Sequence, residues 1–370
     1  MSSEVRLLKG NEALALAAIR YGADAYFGYP ITPQSEILET LMAERPWTTT
    51  GMTVMQVESE VSAIHMIYGA AATGKHAMTS SSGPGISLMQ EGISYLCGAN
   101  LPCLIVNVQR GGPGLGTIQP SQADYFQAVK GGGHGDYKIF TLAPASVQEM
   151  ADFVSVAFDW AFEHRNPAMI LADGTIGQMM EKVILPESRP RLTQEQIIER
   201  FPWAVDGHMR HRQERNRITS LELDPQQMEL KNQDREERYR QTERDCVRVE
   251  EMMTDDADIV IVAFGSAARV CSKAVELCRA QGIRMGLIRP ITLWPFPVAT
   301  IAKAAAHVKA MLVVEFNAGQ MIEDVRQAVY NSQSAQVPNL RIEHFGPLGS
   351  GVILSPDEVV DAAKRCLNNI

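Results

Sequence analysis

The chain lacks the cysteine arrangements that announce a metal site. Its six cysteines, Cys97, Cys103, Cys246, Cys271, Cys278 and Cys366, are scattered, with no CxxC pair and no histidine at zinc-finger spacing. That argues against a structural metal and against a disulfide framework. An iron–sulfur cluster needs closely arranged thiolates, so a cluster serving this protein is expected on another chain. An excess of basic charge is missing too. Lys and Arg number 34 against 43 Asp and Glu, a net charge of -9, which argues against a nucleic-acid surface built to displace counterions. No apolar run approaches the roughly 20 residues that span a bilayer, and the start MSSEVRLLKG has no basic-then-apolar leader pattern. The expected compartment is the cytoplasm, with no membrane and no nucleic-acid partner.

What is present is an ordinary globular composition, 45% hydrophobic and 21% charged over 370 residues, enough for two or three domains. From the start to about residue 185, apolar runs alternate with helical stretches. Runs at Ala25–Tyr29, His76–Thr79, Cys103–Val108, Ile139–Leu142 and Ala168–Leu171 read as strands. Helices fit between them at Gly10–Arg20, Gln34–Ala43, Glu60–Ala72 and Ser146–His164, the last opened by a Ser146-to-Glu149 capping box. Such alternation predicts a parallel sheet flanked by helices. From 186 to 255 the sequence turns polar, and residues 228–253 read as an exposed charged helix. A third segment, 256–370, opens with IVIVAFGS, again strand, glycine turn and helix. FGSAAR lacks the G-x-G-x-x-G spacing of a dinucleotide loop, which counts against an NAD-linked enzyme.

Two elements carry chemistry. Glu60 opens a helix rich in small residues, with Ala63 three positions on and Gly69 nine positions on. This spacing resembles the pyrimidine-binding helix of thiamine diphosphate enzymes, where a glutamate hydrogen-bonds N1′ of the aminopyrimidine. Read by itself, Glu60 could equally cap its helix, whose dipole favours an acid there. Glu58 is a nearby competitor that fits the spacing less well. In GYPITPQSEI, residues 28–37, two prolines bracket Thr32 just after a strand, a rigid turn at the sheet edge where open α/β sheets hold ligands. The plain alternative is a turn leading into the next helix.

YPITP at 29–33, QVESE and its small-residue helix, SSSGPG at 80–85, NVQRGGPG at 107–114 and GGGHGDY at 131–137 together resemble the alpha-type subunit of 2-oxoacid:ferredoxin oxidoreductases. IRPITLWPFP at 288–297, VEFNAGQ at 314–320 and FGPLG at 345–349 resemble that family's transketolase C-terminal-like domain. The resemblance implies a pyrimidine-type thiamine diphosphate domain at 1–185, a charged linker at 186–255 and the second α/β domain at 256–370. It also implies that Thr32 and Arg110 hold the 2-oxoacid carboxylate and that Glu60 is the N1′ glutamate. Guanidinium suits a carboxylate because it offers a planar fork of donors. Without the resemblance, Arg110 after LIVNVQ reads as a strand-end ion pair, and SSSGPG as a strand-to-helix turn. His65 and His134 are weaker acid–base candidates.

The diphosphate half of such enzymes carries GDG followed by paired Asn, with Mg²⁺ ligands between. Asp173-Gly174 is not followed by such a pair. The resemblance therefore places Mg²⁺ and the [4Fe-4S] clusters on partner subunits, a beta chain together with gamma and ferredoxin-like delta chains, and makes the cofactor site shared. The implied reaction is oxidative decarboxylation of a 2-oxoacid with coenzyme A, ferredoxin being the acceptor. Between Gly111 and Asp124 there is no Lys or Arg to meet a second carboxylate, which favours 2-oxoisovalerate over 2-oxoglutarate. A rival of another class is a non-catalytic assembly subunit; the joint presence of Thr32, Glu60 and Arg110 speaks against it.

Overall fold

The computed structural model of the chain describes residues 4–207, 214–331 and 340–368. Its strands are β1 (Val5–Lys9), β2 (Ala25–Gly28), β3 (Thr53–Gln56), β4 (Ala77–Ser81), β5 (Leu104–Gln109), β6 (Phe140–Leu142), β7 (Ala168–Asp173), β8 (Met180–Ile184), β9 (Val249–Met252), β10 (Ile259–Val262), β11 (Met285–Pro290), β12 (Thr292–Trp294), β13 (Ala310–Val314) and β14 (Arg341–Phe345). Among the described residues they form a seven-stranded sheet in the order β12-β6-β7-β5-β4-β2-β3, a five-stranded sheet β14-β13-β10-β11-β9, and a β1-β8 ribbon.

In the larger sheet all pairs from β6 to β3 are parallel and β12 closes the edge antiparallel to β6. Strands β4, β5 and β7 are buried along their whole length; in β5 and β7 this shows as apolar runs rather than alternation, whereas β4, AMTSS, buries hydroxyls. Helices cover the faces. The Ala- and Leu-rich helix Gly10–Tyr21 lays its buried stripe against the helix Val147–His164 and ends at Gly22, whose φ of 89° closes the last turn in the left-handed region.

Local chemistry departs from the sequence reading in two places. Ser146 does cap its helix, accepting the Glu149 N–H at 3.1 Å. The Glu149 carboxylate, however, takes the Ala145 N–H and pairs with Arg289 of β11, so only half of the box forms and the other half ties this helix to the five-stranded sheet. The charged helix spans Pro225–Asp245 rather than 228–253, and the chain then enters β9, which pairs antiparallel with β11. One stripe of that helix is anchored: Tyr239 is buried and donates to Asn166 Oδ1 at 3.1 Å, while Arg238 donates to His164 O and Asn100 Oδ1, both at 2.7 Å.

Candidate active site

The carboxyl ends of β2, β4 and β5 converge on one polar edge. After β2 the chain turns through Tyr29–Gln34. The turn is fastened from behind: Asn11 and Gln178 donate to Pro33 O at 2.8 and 2.9 Å, and Gln34 bridges Tyr29 O and the Ser80 hydroxyl. Thr32 is thereby held with its side chain exposed, next to a cis Thr32–Pro33 bond.

Arg110 follows β5 directly. Its Nη1 donates to Thr32 O at 3.0 Å and its Nη2 to Leu115 O at 2.9 Å, so it ties the turn after β2 to the loop after β5. Nε is buried without a partner. Thr32 and Arg110, chosen from sequence, are therefore neighbours.

Glu60 is the first residue of the helix Glu60–Ala72, which Ser59 caps by accepting the Ser62 N–H. The Glu60 side chain does not perform that cap. It lies only 6% exposed against the start of the helix Gly83–Gly98, where a Cβ on Gly85 would stand 2.6 Å from Glu60 Oε1 and 2.0 Å from Ser81 Oγ. Any side chain there would displace the Glu60 or Ser81 side chain. A Cβ on Gly83, two residues earlier, would lie 3.7 Å from Asp124 Oδ2 and 4.0 Å from Arg110 Cγ. Gly83 and Gly85 thus sit between the Glu60 and Arg110 groups. Glu58 stays at the surface and accepts the Ser62 hydroxyl, which lowers its carboxyl below the usual range. His65 and His134 are exposed, His65 Nδ1 lying 2.7 Å from Val61 O.

Residues not singled out in the sequence complete the edge. Asn107, paired in register with Ser81, donates to Asp124 Oδ2 at 2.9 Å. Burial pushes the Asp124 carboxyl up, opposed by the Asn107 donor and the Arg110 charge. Ser81 Oγ, Ser82 Oγ, Asn107 Oδ1 and Gln90 Nε2 are buried with no partner among the described residues. Native interiors seldom leave such groups unpaired; Gln90 lies against Gly132 and Tyr137, whereas the Ser81, Ser82 and Asn107 groups gather beside Gly83–Gly85 and fit an edge built to receive a polar ligand. A signal was available in the sequence: Asn107 interrupts the apolar run LIVNVQ, and β4 runs out into the three serines Ser80–Ser82, both costly in a core unless used. A concavity of about 820 Å³ lined by Lys130, Lys138, Trp294 and Asp324 shares none of these residues.

Solved structures share the architecture. A 2-oxoglutarate:ferredoxin oxidoreductase from Magnetococcus marinus, with 2-oxoglutarate, coenzyme A and succinyl-CoA bound, superimposes with a TM-score of 0.83 at 24% identity over 99% of this chain and 66% of that one. A split-gene transketolase, an inactive beta4 tetramer, gives 0.57 at 14% identity over 98% of each chain. The class these structures share with the chain is an α/β fold with parallel-rich sheets.

Residues 16–254 match the family "Pyruvate flavodoxin/ferredoxin oxidoreductase, thiamine diP-bdg", and residues 257–346 match "Pyruvate:ferredoxin oxidoreductase core domain II". The chain belongs to this family and is a subunit of a 2-oxoacid:ferredoxin oxidoreductase. Relatives include the ketoisovalerate oxidoreductase subunit VorB of Methanothermobacter thermautotrophicus, 49% identical over 87% of this chain and 89% of that protein. The 2-oxoglutarate synthase subunit KorA of Methanothermobacter marburgensis is 36% identical over 97% of this chain and 98% of that protein.

Proposed function

We propose that the Glu60–Arg110 edge is the aminopyrimidine-facing half of a shared thiamine diphosphate site, and that the assembled enzyme oxidatively decarboxylates 2-oxoisovalerate with coenzyme A and ferredoxin. The observation that carries this is the Glu60 carboxylate, buried at a helix start, freed from capping by Ser59, and aimed at a glycine that leaves it room. When bound, the cofactor supplies the electron sink for the decarboxylation.

The chain's own groups then divide the work. Glu60 holds and exchanges a proton with N1′ of the aminopyrimidine. Water is largely excluded from it. Arg110 spends one N–H of each terminal nitrogen on the Thr32 and Leu115 carbonyls and buries its Nε, so one N–H on each terminal nitrogen stays available to a substrate carboxylate. Thr32 adds an exposed hydroxyl beside it.

We assign Mg²⁺ and [4Fe-4S] clusters to partner subunits, a beta chain with gamma and ferredoxin-like delta chains. Cluster ligation needs thiolates, whereas burial pushes the Cys97 thiol up to about 12 and that of Cys366 up to about 11. No helix among the described residues is long and apolar enough to cross a membrane, in keeping with our placing the enzyme in the cytoplasm.

For the substrate, the loop 111–123 offers no cation, and the relative named for ketoisovalerate is 49% identical. A second reading, 2-oxoglutarate, draws support from the 36% identical KorA relative. Glu60→Gln in the assembled complex tests the site. It should keep assembly and remove most turnover, because the amide keeps the shape without the proton exchange, while Glu58→Gln does little. The reverse order of effects would refute the role of Glu60.

A further inference from the structure

The loop that leaves Arg110 is held at its far end by the second sheet. Gly111 N donates to Gln119 O at 2.9 Å and Arg110 forms an antiparallel bridge with Pro120, so the loop closes on itself. The next residues are gripped from across the molecule. Gln122 is fully buried, and every polar group it has is used there: its N–H donates to Phe316 O at 3.0 Å, its Oε1 accepts the Phe316 N–H at 3.1 Å, its Nε2 donates to Phe264 O at 2.9 Å, and its carbonyl accepts Asn317 Nδ2 at 2.9 Å. Gln320 extends the grip, donating to Ala123 O at 2.8 Å and accepting the Phe126 N–H at 2.7 Å. Asn317 Oδ1 meanwhile accepts the N–H groups of Gly319 and Gln320, which fixes the turn that presents both side chains.

Asp124 carries this fixation to the site. Its N–H donates to Gln109 Oε1 at 3.0 Å and its carboxylate accepts Asn107, one strand residue away from the Gln109–Arg110 pair. The grip is thus polar, buried and adjacent to the guanidinium, whereas plain domain packing needs only apolar contact.

We propose that Asn317, acting through Gln122, and Gln320, acting through Ala123 and Phe126, are positioning residues for the substrate: the second domain sets the register of the loop 111–124 and so the placement of Arg110. The proposal rests on the substrate role of Arg110 given above. Loops are soft, and a carboxylate clamp misplaced by a fraction of an ångström loses much of its effect. Fixing this loop from a rigid sheet removes that softness.

The test uses the assembled, cofactor-loaded complex. Gln320→Leu, near in size, cuts both of its bonds, and Asn317→Asp keeps the turn acceptor while setting a carboxylate oxygen against Gln122 O where the donor stood, which breaks that bond. Both should raise KM for the 2-oxoacid about five- to tenfold, the scale of one or two lost hydrogen bonds, leaving KM for coenzyme A and ferredoxin unchanged. Gln320→Glu, which keeps the acceptor for Phe126, should recover part of the loss. Tyr125→Phe deletes another bond across the same junction, to Asp324 at 2.6 Å, without touching the loop backbone, and should leave KM unchanged. The proposal falls if the folded Gln320 and Asn317 variants keep the parental KM, or if Tyr125→Phe raises KM as much as they do. Arg110→Lys, run alongside, separates the two ideas: an unchanged 2-oxoacid KM there sinks the role of Arg110 itself, whereas a raised KM there with unchanged grip variants sinks only the positioning proposal.

Discussion

Adding one methyl group at Gly85 perturbs the site without deleting any functional atom. The Cβ of Gly85→Ala would stand 2.0 Å from Ser81 Oγ, 2.6 Å from Glu60 Oε1 and 3.0 Å from Glu60 Cγ. The backbone is not at issue, because Gly85 lies inside a helix and outside the left-handed region. Ser81 can answer by rotating its unpaired hydroxyl. Glu60 has to retreat, its Oε1 moving from 2.6 Å to beyond ordinary contact, a shift of about 0.8 Å. Overpacking of this kind costs about 1–3 kcal/mol, and the lower end applies because both obstacles are side-chain ends. The melting temperature should therefore fall by no more than a few degrees. Turnover should fall much further, by about a hundredfold, since a catalytic group displaced by about 1 Å loses that much. Gly83→Ala is the stability control, as its nearest neighbours would be 3.7 and 4.0 Å away and it should melt like the parent. Steady-state 2-oxoacid turnover by the reconstituted complex, with thermal melts of each variant, reads both quantities. If Gly85→Ala turned over within about threefold of the parent, the Glu60 carboxylate would not be where the chemistry needs it.

Three further outcomes follow from the same geometry. The isolated chain should bind thiamine diphosphate weakly in a calorimetric titration, because it offers the pyrimidine face and we place the Mg²⁺–diphosphate anchor on a partner; tight Mg²⁺-dependent binding to this chain alone would contradict the shared site. Asp124→Asn tests the buried acid. Its folded pKa is raised, so its contribution to stability is greatest below the ordinary value of 3.8 and is lost as pH rises through the folded pKa. Melts from about pH 4 upward should show the variant gaining on the parent, and a pH-independent difference would rule this out. Arg110→Lys should weaken 2-oxoisovalerate and 2-oxoglutarate alike, by roughly ten- to a hundredfold in kcat/KM, as a point charge replaces a planar fork. A loss confined to 2-oxoglutarate would mean that Arg110 reads a distal carboxylate.

What the sequence made legible follows the physical range of each signal. Strands β5 and β7 are buried on both faces, so their apolar runs stand out, and helix starts such as Ser59–Glu60 and Ser146 are written in neighbouring residues. Pairings made by distant segments carry no such local mark. β12, three residues long, leaves the 256–370 stretch to pair with β6, and β9, inside the polar stretch, joins β11. The ribbon of β1 and β8 is short, with Leu7, Met180 and Ile184 all exposed, so its pattern is not that of a half-buried strand. In the site, Thr32, Glu60 and Arg110 drew notice as charged or hydroxyl side chains in motifs. Gln122 and Asn317 did not, because an uncharged amide gains its role only from what the fold places 3 Å away.

On the carboxylate role proposed for Arg110, substrate choice should be decided elsewhere. Its two terminal nitrogens each hold a backbone carbonyl, one from the turn after β2 and one from its own loop, so its orientation is fixed before any substrate arrives. A carboxylate common to every 2-oxoacid can use the N–H groups that remain, and it gains the same amount whatever side chain follows. On that proposal discrimination would fall to the loop 111–123, which displays Leu115 at 79% and Ile118 at 57% exposure and carries no cation. An isopropyl group brought against these side chains removes apolar surface from water on both sides, and each buried methylene-sized group is worth about 0.8 kcal/mol. A second carboxylate brought to the same place loses hydration and meets no counter-charge, a penalty of several kcal/mol unless water follows it in. The two terms have opposite signs, so preference for the branched-chain acid requires no repulsive residue. It requires only that the loop stay where the second sheet holds it, and that a partner surface cover the side chains it leaves exposed.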